Sequence, residues 1–209
     1  FACSLLVLEC TLAMTSELSG VAAVGELWGL SHNASIMAAA VVIVCVVLLC
    51  NYRQIEAIGV GLGLFELTFV VTMLAFHPSP MQVFKGSFTF HSDSEFIKLV
   101  CANLGAVIMP WMIFFQQSAV VARGLTTKRH LDEERSETLV GSILTQLVMI
   151  GALVTLAAAA GSQRRNLHTV QDITDAIAPV LGQFASKLLV SLGFIGGSLC
   201  AALVVSLAA

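Results

Sequence analysis

Long apolar stretches separated by short polar segments dominate the pattern of this chain. A helix needs roughly 20 predominantly apolar residues to cross the hydrocarbon core of a bilayer. The segments that fit this requirement are residues 1–24, 35–50, 58–76, 96–121, 139–160 and 177–209. None of them shows the strict alternation that is typical of a membrane β-barrel. The pattern therefore predicts an all-α polytopic membrane protein, with residues 1–209 as one transmembrane domain.

The polar segments between these stretches contain the turn residues and most of the charges. The run LDEERSE precedes the fifth stretch, and we interpret it as a solvated helix start. The last stretch is long enough to include an interfacial turn before Gly182. Because the chain starts inside an apolar run at Phe1 and ends in CAALVVSLAA, we expect it to be an internal piece of a longer protein.

Composition supports a membrane protein and excludes several functional classes. The chain is 57% hydrophobic and 11% charged, with a mean hydropathy of +0.93, whereas soluble domains carry about 25% charged residues. A net charge of -3 without a basic stripe makes nucleic acid an improbable partner. There is no P-loop, nucleophile elbow or HExxH motif, so we expect neither an enzyme nor a bound cofactor. The expected surroundings are the lipid bilayer, and the oligomeric state stays open.

The fourth apolar stretch contains the sequence GAVIMPWMIFFQQSAVV, in which a proline interrupts a potential membrane helix. Pro110 has no N–H, and its ring clashes with the carbonyl four residues earlier. Inside a membrane, a carbonyl freed in this way needs protein, water or an ion as its partner. Met109 adds a soft thioether sulfur, and Gly105 and Ala106 are small. A discontinuous helix of this kind is typical of secondary transporters, and the sulfur favours a transition metal.

These residues resemble the sixth transmembrane helix of the NRAMP (natural resistance-associated macrophage protein) divalent metal transporters. That helix has an Ala-x-x-Met-Pro-His core, which Ala106, Met109 and Pro110 match. The six apolar stretches are then similar to helices three to eight of the family. The resemblance implies a partial LeuT-type inverted-repeat fold with a divalent metal ion as the transported substrate. It also implies that the Met109 sulfur and the Ala106 carbonyl are metal ligands, and that the family's other ligand helix would precede Phe1.

The chain departs from the family pattern at positions connected with proton movement. Trp111 stands where the family usually has a histidine, and indole cannot carry a proton at physiological pH. In the first stretch, Glu17 matches the first of two family acids, whereas Gly20 replaces the second. These departures therefore predict weak or absent proton coupling. We assign four residues to a possible ion or proton path, with structural roles as the alternative: Glu17, Trp111, Gln116 and Gln117.

Three further polar residues have a weaker assignment. Glu9 and Glu66 are intramembrane acids that need a partner, water or a proton, and we give both a structural role. Asn33 begins the sequon Asn-Ala-Ser in a predicted loop, which makes it a possible glycosylation site.

The leading interpretation is a secondary transporter of divalent metal ions of the Mn²⁺ or Fe²⁺ type, working by alternating access. An NRAMP-related Mg²⁺ transporter is the nearest alternative, although a hard, hydrated ion gains little from sulfur. An amino-acid or other organic-solute symporter of the same architecture is a second alternative. A transport-inactive membrane scaffold or sensor is a third.

Overall fold

A computed structural model describes residues 2–89, 93–125, 127–163, 167 and 169–208. Phe1 and Ala209, the ends of the first and last predicted stretches, lie outside the described residues. All regular secondary structure in the described part is helical. The helices are α1 (Ala2–Leu27), α2 (His32–Leu49), α3 (Tyr52–Phe65), α4 (Leu67–Ala75), α5 (Pro80–Ser87), α6 (Ser94–Val107), α7 (Trp111–Ala122), α8 (Lys128–Gln163), α9 (Val170–Leu181) and α10 (Gln183–Ala208).

Six helices or helix pairs of the described residues are long and apolar enough to cross a membrane. Four are the single helices α1, α2, α8 and α10. The other two are pairs, since α3 and α4 follow each other with only Glu66 between them, and α6 and α7 are separated by a short break. The prediction of an all-α polytopic membrane protein is confirmed.

Several helix boundaries differ from the predicted stretches for local reasons. Helix α8 begins at Lys128, well before its apolar part, because its solvated turns carry charged pairs such as Arg129 with Glu133 four residues later. The last predicted stretch is two helices, α9 and α10. They are separated at Gly182, whose φ of 83° ends α9. Pro80 starts the short helix α5 in the segment between the third and fourth apolar stretches.

Helix α10 is the centre of the bundle. It packs against α1, α2, α3, α4, α7 and α9, whereas the outer helices expose many large apolar side chains. Small residues let its neighbours approach closely: a Cβ at Gly196 would lie 2.5 Å from the carbonyl oxygen of Leu62 in α3. Close approach at small residues is the usual way in which membrane helices associate. The polar residues of α1, α3 and α7 are therefore held around one central helix.

Candidate functional site

The broken helix has its gap where the proline was predicted to place it. Helix α6 ends at Val107, and Ile108 leaves the helical conformation with φ −99° and ψ 80°. Pro110 then stands directly before the first residue of α7. Because Pro110 has no N–H, the carbonyl of Ala106 lacks the donor that would close the next helical turn. The gap thus contains a carbonyl oxygen at the C-terminal, electronegative end of α6, where a cation is favoured.

The Met109 side chain is fixed by the residue that departs from the family motif. The indole Nε1–H of Trp111 donates a hydrogen bond to the Met109 sulfur at 3.3 Å. Trp111 is only 3% exposed and forms an apolar cluster with Cys10 of α1 and Val205 of α10, against which Met109 also packs. The thioether therefore lies at the junction of α1, α7 and α10, in contact with a polarised N–H group.

A cavity of about 540 Å³, which we name the inner cavity, extends from the break along the inner face of α7. Its walls come from α3, α7 and α10, together with Glu134 of α8. Trp111 lines it at the level of the break, Gln116 lies one to two turns further along α7, and Arg123 lies at the end of that helix. The cavity thus connects the region of the broken helix to a cluster of charged residues.

Arg123 joins three helices at that charged end. Its guanidinium donates to the carboxylates of Glu56 in α3 and Glu134 in α8, and to Glu137 Oε2 at 3.2 Å. Partial burial, the largest single influence, lowers the pKa of Arg123, but hydrogen bonds and charge from Glu134 and a hydrogen bond to Glu137 give a net rise. Arg123 therefore stays cationic and holds the ends of α3, α7 and α8 together.

A second polar group lies deeper in the bundle, around α10. Glu17 of α1 lies close enough to Glu66, the residue between α3 and α4, for the two to interact electrostatically. Both also interact electrostatically with the thiol of Cys200 in α10. The Ser198 hydroxyl is within hydrogen-bonding reach of Glu17. Glu66 packs on α10, since a Cβ at Gly197 would lie 3.1 Å from Glu66 Oε1. We name Glu17, Glu66, Ser198 and Cys200 the carboxylate group.

The carboxylate group is separate from the Met109–Trp111 pair. Cys10, which packs on Trp111, and Glu17 are seven residues apart on α1, which is about 10 Å along a helix axis. Ser198 and Val205 have the same separation on α10. The structure therefore brings Met109 and Trp111 together at the break and places Glu17 about two helical turns away from them.

The remaining predicted site residues have varied positions. Gly105 is exposed near the end of α6, and a Cβ there would meet nothing within 4 Å. Gln117 is exposed on α7, beside the cavity-lining Gln116. Asn33 lies in the first turn of α2, rather than in a loop as predicted, and is exposed. Glu9 lines a mostly apolar cavity of about 440 Å³ together with Pro110.

Sequence reasoning missed the electrostatic proximity of Glu66 to Glu17 and the anchoring role of Arg123. For Glu66 the available signal was the small-residue run Gly-Gly-Ser at residues 196–198, which permits a polar side chain to approach α10. For Arg123 the signal was the density of acids at the start of α8. Neither sequence feature identifies the residues with which Glu66 or Arg123 interacts, because those residues are determined by how the helices pack.

The donors at the break suit a cation that accepts carbonyl and thioether ligands. Within the described residues, no group of three or more His, Cys, Asp or Glu side chains is arranged to hold a metal ion. A site at the break would therefore use backbone oxygen and sulfur, with further ligands from elsewhere. A carbonyl is a hard ligand and a thioether a soft one, so together they fit ions of intermediate character.

Comparison with known proteins identifies the family of the chain. No curated protein matches the chain. The family model described as natural resistance-associated macrophage protein-like matches residues 1–209, which is the whole chain. This family consists of LeuT-fold transporters of divalent metal ions. The chain, an integral multi-pass membrane protein with a helix broken at Pro110, belongs to the natural resistance-associated macrophage protein-like family.

Proposed function

We propose that this chain carries divalent ions of the Mn²⁺ or Fe²⁺ type across a membrane by alternating access. The ion would bind at the break between α6 and α7, where the Ala106 carbonyl and the Met109 sulfur supply two of its ligands. The remaining ligands would come from water and from parts of the transporter outside residues 1–209. Pro110 would keep the helix open at this point.

The observation that carries this proposal is that Ala106 stands at the end of α6 and Met109 lies within the gap that follows. Ala106 is the penultimate residue of α6, and Met109 follows the last helical residue by two positions. A carbonyl without a helical donor is costly in hydrocarbon, and a bound cation offsets that cost. The adjacent thioether favours ions softer than Mg²⁺ or Ca²⁺.

We further propose that ion movement here is weakly coupled to protons or not coupled at all. Trp111 is buried at the break and its side chain cannot titrate in the physiological range. Gln116 in the inner cavity cannot titrate either. A Cβ at Gly20 would lie 2.5 Å from the Ser198 hydroxyl oxygen, so a side chain at this position would have to displace that hydroxyl. Among the four residues predicted for an ion or proton path, Glu17 is the one with an ionisable side chain.

A Mg²⁺ transporter is the second candidate, and one observation favours it. The Met109 sulfur already accepts a hydrogen bond from Trp111, which reduces its capacity to donate to a metal. A site with a weakened thioether depends more on oxygen ligands, which Mg²⁺ prefers. The Mn²⁺ or Fe²⁺ proposal and the Mg²⁺ alternative therefore differ in how much the sulfur contributes.

Uptake of Mn²⁺ and Mg²⁺ into proteoliposomes, measured with Met109→Ala beside the unchanged protein, tests the proposal. We expect Mn²⁺ uptake in the unchanged protein and a loss of Mn²⁺ preference in the variant. Loss of a supporting residue at a metal site typically costs about tenfold in affinity, so loss of a direct ligand should cost at least that.

Met37→Ala is the matched control, because Met37 is an exposed methionine on α2, remote from the break. It should leave both uptake rates unchanged. Equal uptake of Mn²⁺ and Mg²⁺ that Met109→Ala does not alter would instead establish the Mg²⁺ alternative. Uptake of neither ion would contradict the proposed function as a whole.

A further inference from the structure

We propose that Trp111 is a positioning residue that sets the metal selectivity of the break by holding and weakening the Met109 thioether. This inference rests on the proposed function, since it concerns which ions the Met109 site prefers. It goes further by assigning the selectivity to the indole N–H. That group acts on the sulfur without being a metal ligand itself.

The geometry that carries the inference is the hydrogen bond between these two side chains. Trp111 Nε1 lies 3.3 Å from Met109 Sδ, two residues earlier in the chain. In the described part of the chain, the sulfur is the hydrogen-bond acceptor that the indole reaches. Trp111 is 3% exposed, so its N–H has little access to solvent that could replace this partner. Loss of the bond would leave a buried donor unsatisfied, which is why the bond persists.

Packing fixes the indole in this position. Trp111 is the first residue of α7, and Cys10 of α1 and Val205 of α10 enclose it. Phe115, one turn further along α7, packs against the same cluster. The sulfur is therefore held by a donor whose own position two neighbouring helices determine. Met109 alone, with three rotatable side-chain bonds, would be far less restricted.

The chemical consequence is a thioether with one lone pair directed at a proton. A cation that approaches the sulfur also approaches the positive end of the N–H bond, and the two repel each other. The bond also draws electron density away from the sulfur. The penalty is largest for ions that gain most from sulfur, such as Cd²⁺, and smallest for ions bound mainly through oxygen, such as Mg²⁺. Trp111 therefore shifts selectivity away from the softest ions.

Trp111→Phe in the intact transporter tests the inference, because phenylalanine keeps an aromatic ring but removes the donor. KM values for Cd²⁺ and Mg²⁺ uptake are measured in proteoliposomes. We expect the ratio of the Cd²⁺ to the Mg²⁺ KM to fall at least about threefold, since one neutral hydrogen bond is a modest contribution. The same substitution in a Met109→Leu background should leave the ratio unchanged, because the sulfur is gone.

Trp28→Phe is the matched control. Trp28 also donates its indole N–H, to Ser191 Oγ at 2.7 Å, but it lies beyond the end of α1 and away from the break. It should not change the KM ratio. A ratio that Trp111→Phe leaves unchanged, or that changes equally without Met109, would overturn the inference. The proposed function fails separately, if the unchanged protein transports no divalent ion.

A measurement without substitution at position 111 covers the case in which Trp111→Phe does not fold. Tryptophan emission of the Trp28→Phe protein is followed during titration with Cd²⁺ and with Mg²⁺. Cd²⁺ binding to the sulfur should disturb the hydrogen bond and change the emission more than Mg²⁺ does. Met109→Leu should abolish that difference. Equal responses to both ions, or a difference that persists in Met109→Leu, would overturn the inference.

Discussion

Gly20 of α1 and Ser198 of α10 meet so closely that a Cβ on Gly20 would lie 2.5 Å from the Ser198 hydroxyl oxygen. Real Cβ atoms essentially never come this close to another heavy atom. The same hydroxyl is within hydrogen-bonding reach of Glu17, one turn earlier on α1. The absence of a side chain at position 20 therefore permits α10 to approach α1 and place a donor beside Glu17.

Gly20→Ala should destabilise the protein by about 1–2 kcal/mol, because the new methyl group forces the Ser198 hydroxyl away from Glu17. Thermal unfolding in detergent measures the effect. In a Ser198→Ala background the cost of Gly20→Ala should fall to less than half, since the Ser198 Cβ lies at an ordinary 3.6 Å. Gly61→Ala on α3, where a Cβ meets nothing within 4 Å, is the control and should not destabilise. Additive costs for the Gly20 and Ser198 variants would contradict this account.

Pro110→Ala should restore an N–H that can donate to the Ala106 carbonyl and extend α6 towards α7. We expect a folded protein whose ion uptake falls about tenfold, since the carbonyl is then occupied by a helical hydrogen bond. Uptake in proteoliposomes, with size-exclusion chromatography to establish folding, gives the measurement.

Pro179→Ala is the control for that experiment. Pro179 is also a helix proline, but it is exposed and lies in α9 rather than in a helix that borders the break. Uptake by Pro179→Ala should equal that of the unchanged protein. Undiminished uptake by Pro110→Ala would show that the open carbonyl is not required.

The helix break and the number of apolar spans could be predicted from sequence because their causes are local. Pro110 interrupts a helix whatever surrounds it, and a span requires only length and apolarity. The proximity of Glu66 to Glu17 could not be predicted, because it depends on which helices pack on α10. The hydrogen bond from Trp111 to Met109 could not be predicted either. The rotamers that bring the indole N–H to the sulfur are determined by packing against Cys10 and Val205.

Arg123→Gln should destabilise the charged end of the inner cavity by about 1–3 kcal/mol, because Glu56, Glu134 and Glu137 lose their shared cation and then repel one another. The raised pKa of Arg123 means that its contribution is present at every pH below its ordinary value and is lost only in strong alkali. Destabilisation measured by thermal unfolding should therefore be the same at pH 7 and pH 9.

Arg129→Gln is the matched control for Arg123→Gln. Arg129 pairs with Glu133 on the surface of α8, with side chains 87% and 54% exposed, so its loss should cost less than about 0.5 kcal/mol. Glu137→Gln should also have a small effect, since its carboxylate is 66% exposed. Equal destabilisation by Arg123→Gln and Arg129→Gln would mean that the cluster does not hold the three helices together.

Glu66→Gln should leave the protein as stable as before or make it more stable, because it removes one of two neighbouring carboxyl groups from a low-dielectric setting. Glutamine keeps the shape of the side chain, so the contact with Gly197 is retained. Ser198→Ala should have the opposite effect and cost about 1 kcal/mol, since Glu17 loses a donor. Thermal unfolding in detergent distinguishes the two outcomes.

Glu26→Gln, which alters an exposed acid paired with His32, is the control for Glu66→Gln and should have little effect. A marked loss of stability in Glu66→Gln would show that the Glu66 carboxylate has a cationic partner or donor that stabilises it. Glu17 and Glu66 would then be two independent polar anchors rather than one electrostatically coupled pair.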